Sequence, residues 1–161
     1  MIILGLDPGI GRTGFGVIDT AKQQYLRSGC LTTPANLELA DRLLALGQDL
    51  ERLLAETKPD QAVIEEIFFG TNAKTAIATA QARGTLLYIL RKHHIPTFSL
   101  TPLQIKSRLV GHGRADKHQV QTIVMSRLNL AAPPRPDDAA DALAAALCLA
   151  DHQVTMPYAQ V

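Results

Sequence analysis

The chain has no tryptophan, only two cysteines, and aromatics at 4% of its 161 residues. With apolar residues at 47%, its core must be aliphatic, rich in Leu, Ile, Val and Ala. Cys30 and Cys148 show no metal-ligand spacing and read as buried thiols in a reducing compartment. No apolar run approaches the roughly 20 residues that a membrane span needs. Met1 to Leu6 is apolar but has no basic segment ahead of it and meets Asp7 at once, which does not fit a secretory signal. A soluble, cytoplasmic protein is expected, long enough for one domain with a real core. Strong charge of either sign is also missing, since the formal net charge is +1. The total therefore says nothing about partners.

The distribution of charge says more. From Thr71 to Arg135 there are ten Lys and Arg (Lys74, Arg83, Arg91, Lys92, Lys106, Arg108, Arg114, Lys117, Arg127 and Arg135) against one acid, Asp116. The other six cations face fourteen acids. Such a basic middle is either a solvated face whose charges balance in three dimensions or a surface for phosphates. Neutralising a nucleic-acid backbone takes clustered cations rather than a high overall charge.

The hydrophobic pattern orders the chain. Met1 to Leu6 reads as a buried strand ending in the turn Asp7-Pro8-Gly9, and Thr13 to Ile18 and Tyr25 to Thr32 extend it into an antiparallel meander of three strands. Leu39, Leu43, Leu44, Leu50 and Leu54 recur at helical spacing between Asn36, a candidate N-cap, and Thr57, with Pro59 beyond. Ala62 to Ile67 is the next buried strand. Asn72 to His94 is a long helix carrying Ala76, Ile77, Ala80, Leu87 and Leu90, and Ile95 to Leu100 is a fifth strand. Helices over Thr101 to Val110, Asp116 to Leu128 and about Asp137 to Asp151 follow. This βββαβαβ order with trailing helices implies an α/β sandwich around a mixed five-stranded sheet.

Acids stand where such a sheet would use them. Asp7 ends the first strand and Glu65 lies near the end of the fourth. As parallel neighbours these strands would run about 4.8 Å apart, and the carboxyl ends of strands are where open α/β sheets usually place ligands. Ile3, Gly5 and Asp7 share one face, as do Val63 and Glu65, whereas Glu66 points the other way. Asp138 and Asp141, at i and i+3, share a helix face, and the Ala residues between them allow close approach to the sheet. Asp137 fits an N-cap. A plain reading remains for these three acids, with Asp137 and Asp138 merely capping a helix and Asp141 solvated. Four converging carboxylates without His or Cys suit a hard cation such as Mg²⁺. Two such ions about 4 Å apart can activate water and stabilise a leaving oxygen at a phosphodiester. Lys106 or Lys117 could neutralise the phosphate in the transition state; otherwise each is a surface cation.

Six ordered blocks resemble the RuvC family of Holliday-junction resolvases, within the ribonuclease-H-like nucleases. They are Ile3-Leu4-Gly5-Leu6-Asp7-Pro8-Gly9 with Thr13-Gly14-Phe15-Gly16-Val17-Ile18, then Ile64-Glu65-Glu66-Ile67-Phe68-Phe69 and Gln81-Ala82-Arg83-Gly84. Gly113-Arg114-Ala115-Asp116-Lys117 and Asp138-Ala139-Ala140-Asp141-Ala142-Leu143 complete the set, which spans roughly residues 1 to 150. The resemblance implies a ribonuclease-H-like three-layer sandwich with helices on both faces of the sheet. A nuclease domain would cover residues 1–151, with a short tail at 152–161.

By the same resemblance, Asp7, Glu65, Asp138 and Asp141 are the metal-binding catalytic acids, and Lys106 and Lys117 stand near the scissile phosphate. Phe68 stacks on unpaired junction bases; for Phe69 stacking and core packing stay equally open. Asn72, Lys74, Arg83 and Arg114 join the expected DNA contacts. Gly70-Thr71 departs from the family, which often carries a basic residue just before the Asn. Two Mg²⁺ ions per site, with Mn²⁺ able to substitute, are the implied cofactors. The implied partners are four-way junction DNA, a second copy of the chain, and a branch-migration complex of the RuvA–RuvB type. Ala76, Ala80, Thr85, Tyr88 and Arg91 are candidates for the dimer face. Asp7-Pro8-Gly9 with Thr13-Gly14 is also similar to phosphate loops of the actin and sugar-kinase superfamily, but that class needs a second lobe, which 161 residues do not supply.

Overall fold

The computed structural model describes residues 1–67 and 73–152, the side chains of 73–75 and 152 excepted. Phe68, Phe69, Gly70, Thr71, Asn72, the Lys74 side chain and the tail from 153 onward lie outside the described residues. Five strands, β1 (Ile2–Asp7), β2 (Arg12–Asp19), β3 (Gln24–Thr32), β4 (Gln61–Glu65) and β5 (Thr97–Leu100), form one sheet in the order β3-β2-β1-β4-β5. The meander β1-β2-β3 is antiparallel, and β4 and β5 add to β1 in parallel. This is the mixed five-stranded sheet expected. The central strand β1 is covered on both faces, which is why it reads as an unbroken apolar run.

Residue parity sorts the core into two layers. Leu4, Leu6, Ala62 and Ile64 pack beneath α1 (Leu39–Thr57) and α2 (Ala73–Lys92). Ile3, Val63 and Leu100 face the other way, toward α3 (Pro102–Val110), α4 (Lys117–Leu128) and α5 (Asp137–His152). Helices thus cover both faces. Helix α5 is the innermost: Ala139, Ala140 and every residue from Ala142 to Leu149 are buried. A helix apolar all round has no solvent face to offer, and α5 lies between the sheet and the outer helices α3 and α4.

Three glycines allow that seat. Gly5, Gly14 and Gly16 are on the α5 face of neighbouring strands, with Gly5 paired to Gly16 and Gly14 to Asp7. A Cβ on Gly5 would collide with the Ala142 carbonyl, one on Gly14 with the Asp138 carbonyl, and one on Gly16 with the Leu143 side chain. The helix backbone therefore rests directly on the strand backbone.

Several local expectations need correction. Helix α1 starts at Leu39, and Asn36 is not its cap; Glu38 takes that position without a side-chain cap bond. Leu44 is exposed, while Leu46, Gly47 and Leu53 join Leu50 and Leu54 inside. On α2, Ile77 is exposed and Ala76 buried, with Ala82, Leu86, Ile89 and Leu90 as the core face. The expected stripe holds at Ala76 and Leu90 and fails at Ile77 and Ala80, which are exposed, because α2 packs on α1 as well as under the sheet. Asp137 is the first helical residue of α5 rather than the residue before it. Of the two thiols, Cys148 is buried but Cys30 is only half-buried.

The glycine seat yields a test. Gly14→Ala should lower Tm by about 3–10 °C, the effect of an overpacked contact in a domain of this size. Because the collision is with the backbone of Asp138, circular dichroism should show a folded protein whose activity falls further than its stability. An unchanged Tm would contradict the close contact.

Candidate active site

The end of the sheet where β1 and β4 finish gathers the expected acids. Asp7 is the last residue of β1 and Glu65 the last of β4, both with the parity of the α5 face. Glu66 lies beyond the strand and is exposed. Asp138 lies over Gly14, which pairs with Asp7, so the first turn of α5 sits beside the end of β1. Asp141 is one turn further along and lines a cavity of about 230 Å³ with Glu65, Lys106 and Lys117, between apolar walls of Ile105 and Val120.

The turn after Asp7 is fixed from within. Thr13 is fully buried; its hydroxyl donates to the Gly9 carbonyl at 2.9 Å and accepts from the Gly9 amide at 3.3 Å. Arg42 of α1 donates to the Ile10 carbonyl at 3.3 Å and to Thr33 Oγ1 at 3.1 Å. The Asp-Pro-Gly and Thr-Gly residues therefore stabilise one another. That internal bonding accounts for the pattern that is also similar to a phosphate loop.

Both lysines stand on helices with doubly bonded starts. At α3, the Thr101 hydroxyl accepts from the Gln104 amide at 3.1 Å while Gln104 accepts from the Thr101 amide at 2.8 Å. At α4, Asp116 and Gln119 repeat the reciprocal pair at 2.8 and 2.9 Å. Such capping boxes satisfy donors that a helix start leaves open and set the axes that carry Lys106 and Lys117 to the cavity. Arg114 is exposed on the loop before α4.

The electrostatics are dominated by crowded negative charge. Burial, with Asp141 and Asp138 nearby, raises the Asp7 carboxyl to about 7, and Lys117 only partly offsets this. Burial together with Asp7 and Asp141 raises Glu65 to about 8, with Lys106 opposing. Asp141 is raised by burial despite Lys117. The exposed Asp137, by contrast, is lowered by its hydrogen bond from Lys117. Lys117 Nζ lies 3.2 Å from Asp137 and 3.7 Å from Asp141.

Asp138 is paired with Arg12 Nε at 3.2 Å, and the Cys30 thiol is 3.8 Å from the same carboxylate. Arg12 was missed at the sequence level. It shares the parity of Gly14 and Gly16, and that alternation could have placed it on the α5 face.

The donor set fits a hard divalent cation. It consists of carboxylates only, and burial with mutual repulsion raises two of them, so that a divalent cation held there would displace protons. Among the described residues, no three carboxylate, imidazole or thiol groups stand close enough to chelate one ion as they are placed. Asp138 and Asp141 are instead turned to Arg12 and Lys117.

Comparison with known proteins shows a family. The family model for crossover junction endodeoxyribonuclease RuvC matches residues 3–149. A crossover junction endodeoxyribonuclease RuvC of Alkaliphilus oremlandii is 45% identical over 150 residues, 92% of either chain. The Thermus thermophilus RuvC structure superposes with a TM-score of 0.88 at 30% identity over 96% of both chains. The structure of T. thermophilus RuvC in complex with Holliday junction substrate gives 0.86 at 30% identity over 92% of both.

The raised acids make stability depend on pH. Asp7 and Glu65 ordinarily titrate at 3.8 and 4.5, so with both pushed upward the folded protein holds protons that the unfolded chain has released. Their contribution is fully present below the unfolded values and is lost as pH rises through about 7 and about 8. In excess chelator, Tm should fall by several degrees as pH is raised across that window. Asp7→Asn should flatten the fall and raise Tm in its upper part. A Tm that rises over the same window would refute this reading of the charges.

Proposed function

The chain belongs to the RuvC family of crossover junction endodeoxyribonucleases, DNA-cutting hydrolases of recombination and repair, and from that premise we propose that it resolves four-way Holliday junctions with Asp7, Glu65, Asp138 and Asp141 as its metal-binding acids. The observation that carries this reading is the convergence of four acids, distant in sequence, on one sheet end beside two lysines. The structural relative bound to a Holliday junction supports the choice of substrate. A family that matches nearly the whole chain displaces the phosphotransferase alternative.

Metal dependence belongs to the family; its finer form is our proposal. Two Mg²⁺ ions, with Mn²⁺ able to substitute, would be held by Asp7, Glu65, Asp138 and Asp141. When bound, such ions supply an activated water and a stabilised leaving oxygen. The protein's part is to hold hard oxygen donors in a partly dry cavity and to exclude competing ligands. Lys106 and Lys117 face that cavity and offset charge on the phosphate during displacement. Arg12 and Lys117 keep Asp138 and Asp141 paired when no other cation is present.

Recognition is spread more widely. Phe68 holds opened bases by stacking, with stacking and core packing both open for Phe69, and Asn72, Lys74 and Arg114 contact the backbone, while Gly70-Thr71 leaves out one basic contact in that stretch. The acting form is a homodimer, since a two-fold dimer relates two cuts in a two-fold substrate by one operator. Ile77 and Tyr88, 62% and 66% exposed on α2, support a partner face there together with the exposed Ala80 and Arg91, whereas Ala76 is buried and Thr85 packs toward Gly47 of α1. Residues 1–151 are the nuclease domain. The enzyme works in the cytoplasm, with junctions delivered by a branch-migration complex of the RuvA–RuvB type. No described helix is long and apolar enough to cross a membrane.

Symmetric nicking of four-way DNA should require Mg²⁺ and fall at least about 10³-fold in Asp7→Asn, as when a group that works as part of a unit is removed. Junction affinity in chelator should stay within about threefold, because phosphate contacts dominate it. Cleavage that survives the substitution, or continues in excess chelator, would sink the proposal. Duplex DNA and RNA hybrids as parallel substrates separate junction resolution from other nuclease activities.

A further inference from the structure

Arg83 is expected among the DNA contacts, yet its guanidinium is engaged inside the fold. Nε donates to the Glu65 carbonyl oxygen at 3.3 Å, and Nη2 donates to Ser99 Oγ at 2.7 Å. The residue comes from α2, whose neighbouring Ala82 and Leu86 pack with Ile64 on the face of the sheet away from α5. Ser99 has that same parity, opposite to Phe98 and Leu100. Arg83 therefore reaches the end of β4 from behind, on the side opposite to the Asp7 and Glu65 carboxylates.

The place it grips is where strand pairing runs out. The pairing of β1 with β4 ends at Leu6 and Ile64, one residue before Glu65. On the other flank β5 continues, with Leu100 beside Glu65 and the Glu66 amide donating to the Leu100 carbonyl at 2.8 Å. At Glu65 the strand pairing of β4 is therefore made on the β5 side and no longer on the β1 side. A rigid cation that holds both the Glu65 peptide and Ser99 joins β4 and β5 at this point. Arginine suits the task, because its planar fork donates in fixed directions to two acceptors at once.

We propose that Arg83 is a positioning residue that locks the peptide of Glu65 to β5 from the reverse face of the sheet, and so fixes how Glu65 and Asp7 present their carboxylates to a shared divalent cation. This rests on the reading of those acids as metal ligands, but not on the identity of the DNA substrate. It also separates Arg83 from the residues that touch the nucleic acid.

The test uses the full chain with Arg83→Gln, Arg83→Lys and Ser99→Ala. Mn²⁺ binding is followed by loss of the free-ion paramagnetic resonance signal without DNA, single-turnover nicking is measured against Mg²⁺, and junction affinity is measured in chelator. Arg83→Gln should weaken Mn²⁺ binding and slow nicking by about 10–100-fold, the range found when groups behind metal ligands are removed. Junction affinity in chelator should change less than about threefold, and Arg83→Lys should restore part of the Mn²⁺ affinity. Ser99→Ala should move Mn²⁺ binding the same way, by a smaller factor. Weaker junction binding with Mn²⁺ affinity unchanged would overturn the proposal and return Arg83 to the DNA contacts. If Arg83→Gln does not fold, Ser99→Ala decides, and unchanged Mn²⁺ affinity there also overturns it. A wild-type protein that binds Mn²⁺ but leaves junctions uncut would refute the substrate reading instead.

Discussion

The contact on which the site depends is that of α5 with the glycine face of β1 and β2. Gly5, Gly14 and Gly16 remove three side chains from the same patch, and the small residues of α5 let its backbone settle there. The placement of the two α5 acids over Asp7 follows from this contact. Asp138 and Asp141 project from the helix at fixed heights, Asp7 projects from the strand below, and Glu65 enters from the adjoining parallel strand. Had any of the three glycines carried a Cβ, the helix would have to lift, and both of its acids with it. Close packing leaves no room to absorb such a shift locally.

That contact also explains how the fold tolerates so much like charge. Buried carboxylates near one another oppose folding unless they are protonated, paired or bound to cations. Here the surroundings are dense apolar packing, from Ile3, Val63 and Leu100 on the sheet to Val120 and Val124 on α4. Such packing supplies the favourable free energy that acid crowding diminishes. Cations at the rim do the rest: Arg12 on Asp138, Lys117 on Asp141 and Asp137, and Lys106 near Glu65. Each approaches from a different element, so a change in one does not release the whole cluster.

Much of this was legible because it depends on short-range periodicity. Alternation along two strands separates Glu65 from Glu66, and helical spacing joins Asp138 to Asp141; both follow from backbone geometry that tertiary packing did not override. The order of strands and helices was readable for the same reason. What could not be read depends on who the neighbours are. Leu44 and Ile77 match a helical stripe but are exposed, because α1 and α2 rotate to satisfy each other as well as the sheet. Arg12 and Arg83 are ordinary cations in sequence, and only the folded chain brings Asp138 to one and the Glu65 peptide to the other. Asn36 has good capping chemistry, yet the helix begins at Leu39.

The basic middle of the chain illustrates the same limit. Its ten cations from Thr71 to Arg135 suggest a broad phosphate surface, but several are turned to partners within the protein. Arg83 holds Glu65 and Ser99, Lys92 meets Glu51 at 2.7 Å, and Arg127 forms a two-pronged pair with Asp151 at 2.5 and 2.7 Å. Lys117 is shared between Asp137 and Asp141. These pairs tie α2 to α1, and α4 to α5, so part of the positive charge maintains the layers that flank the sheet. A count of Lys and Arg therefore overstates the attraction available for a DNA backbone. Lys106 and Lys117 stand at the cavity beside the acids, while Arg91, Arg114 and Arg135 are exposed elsewhere on the surface.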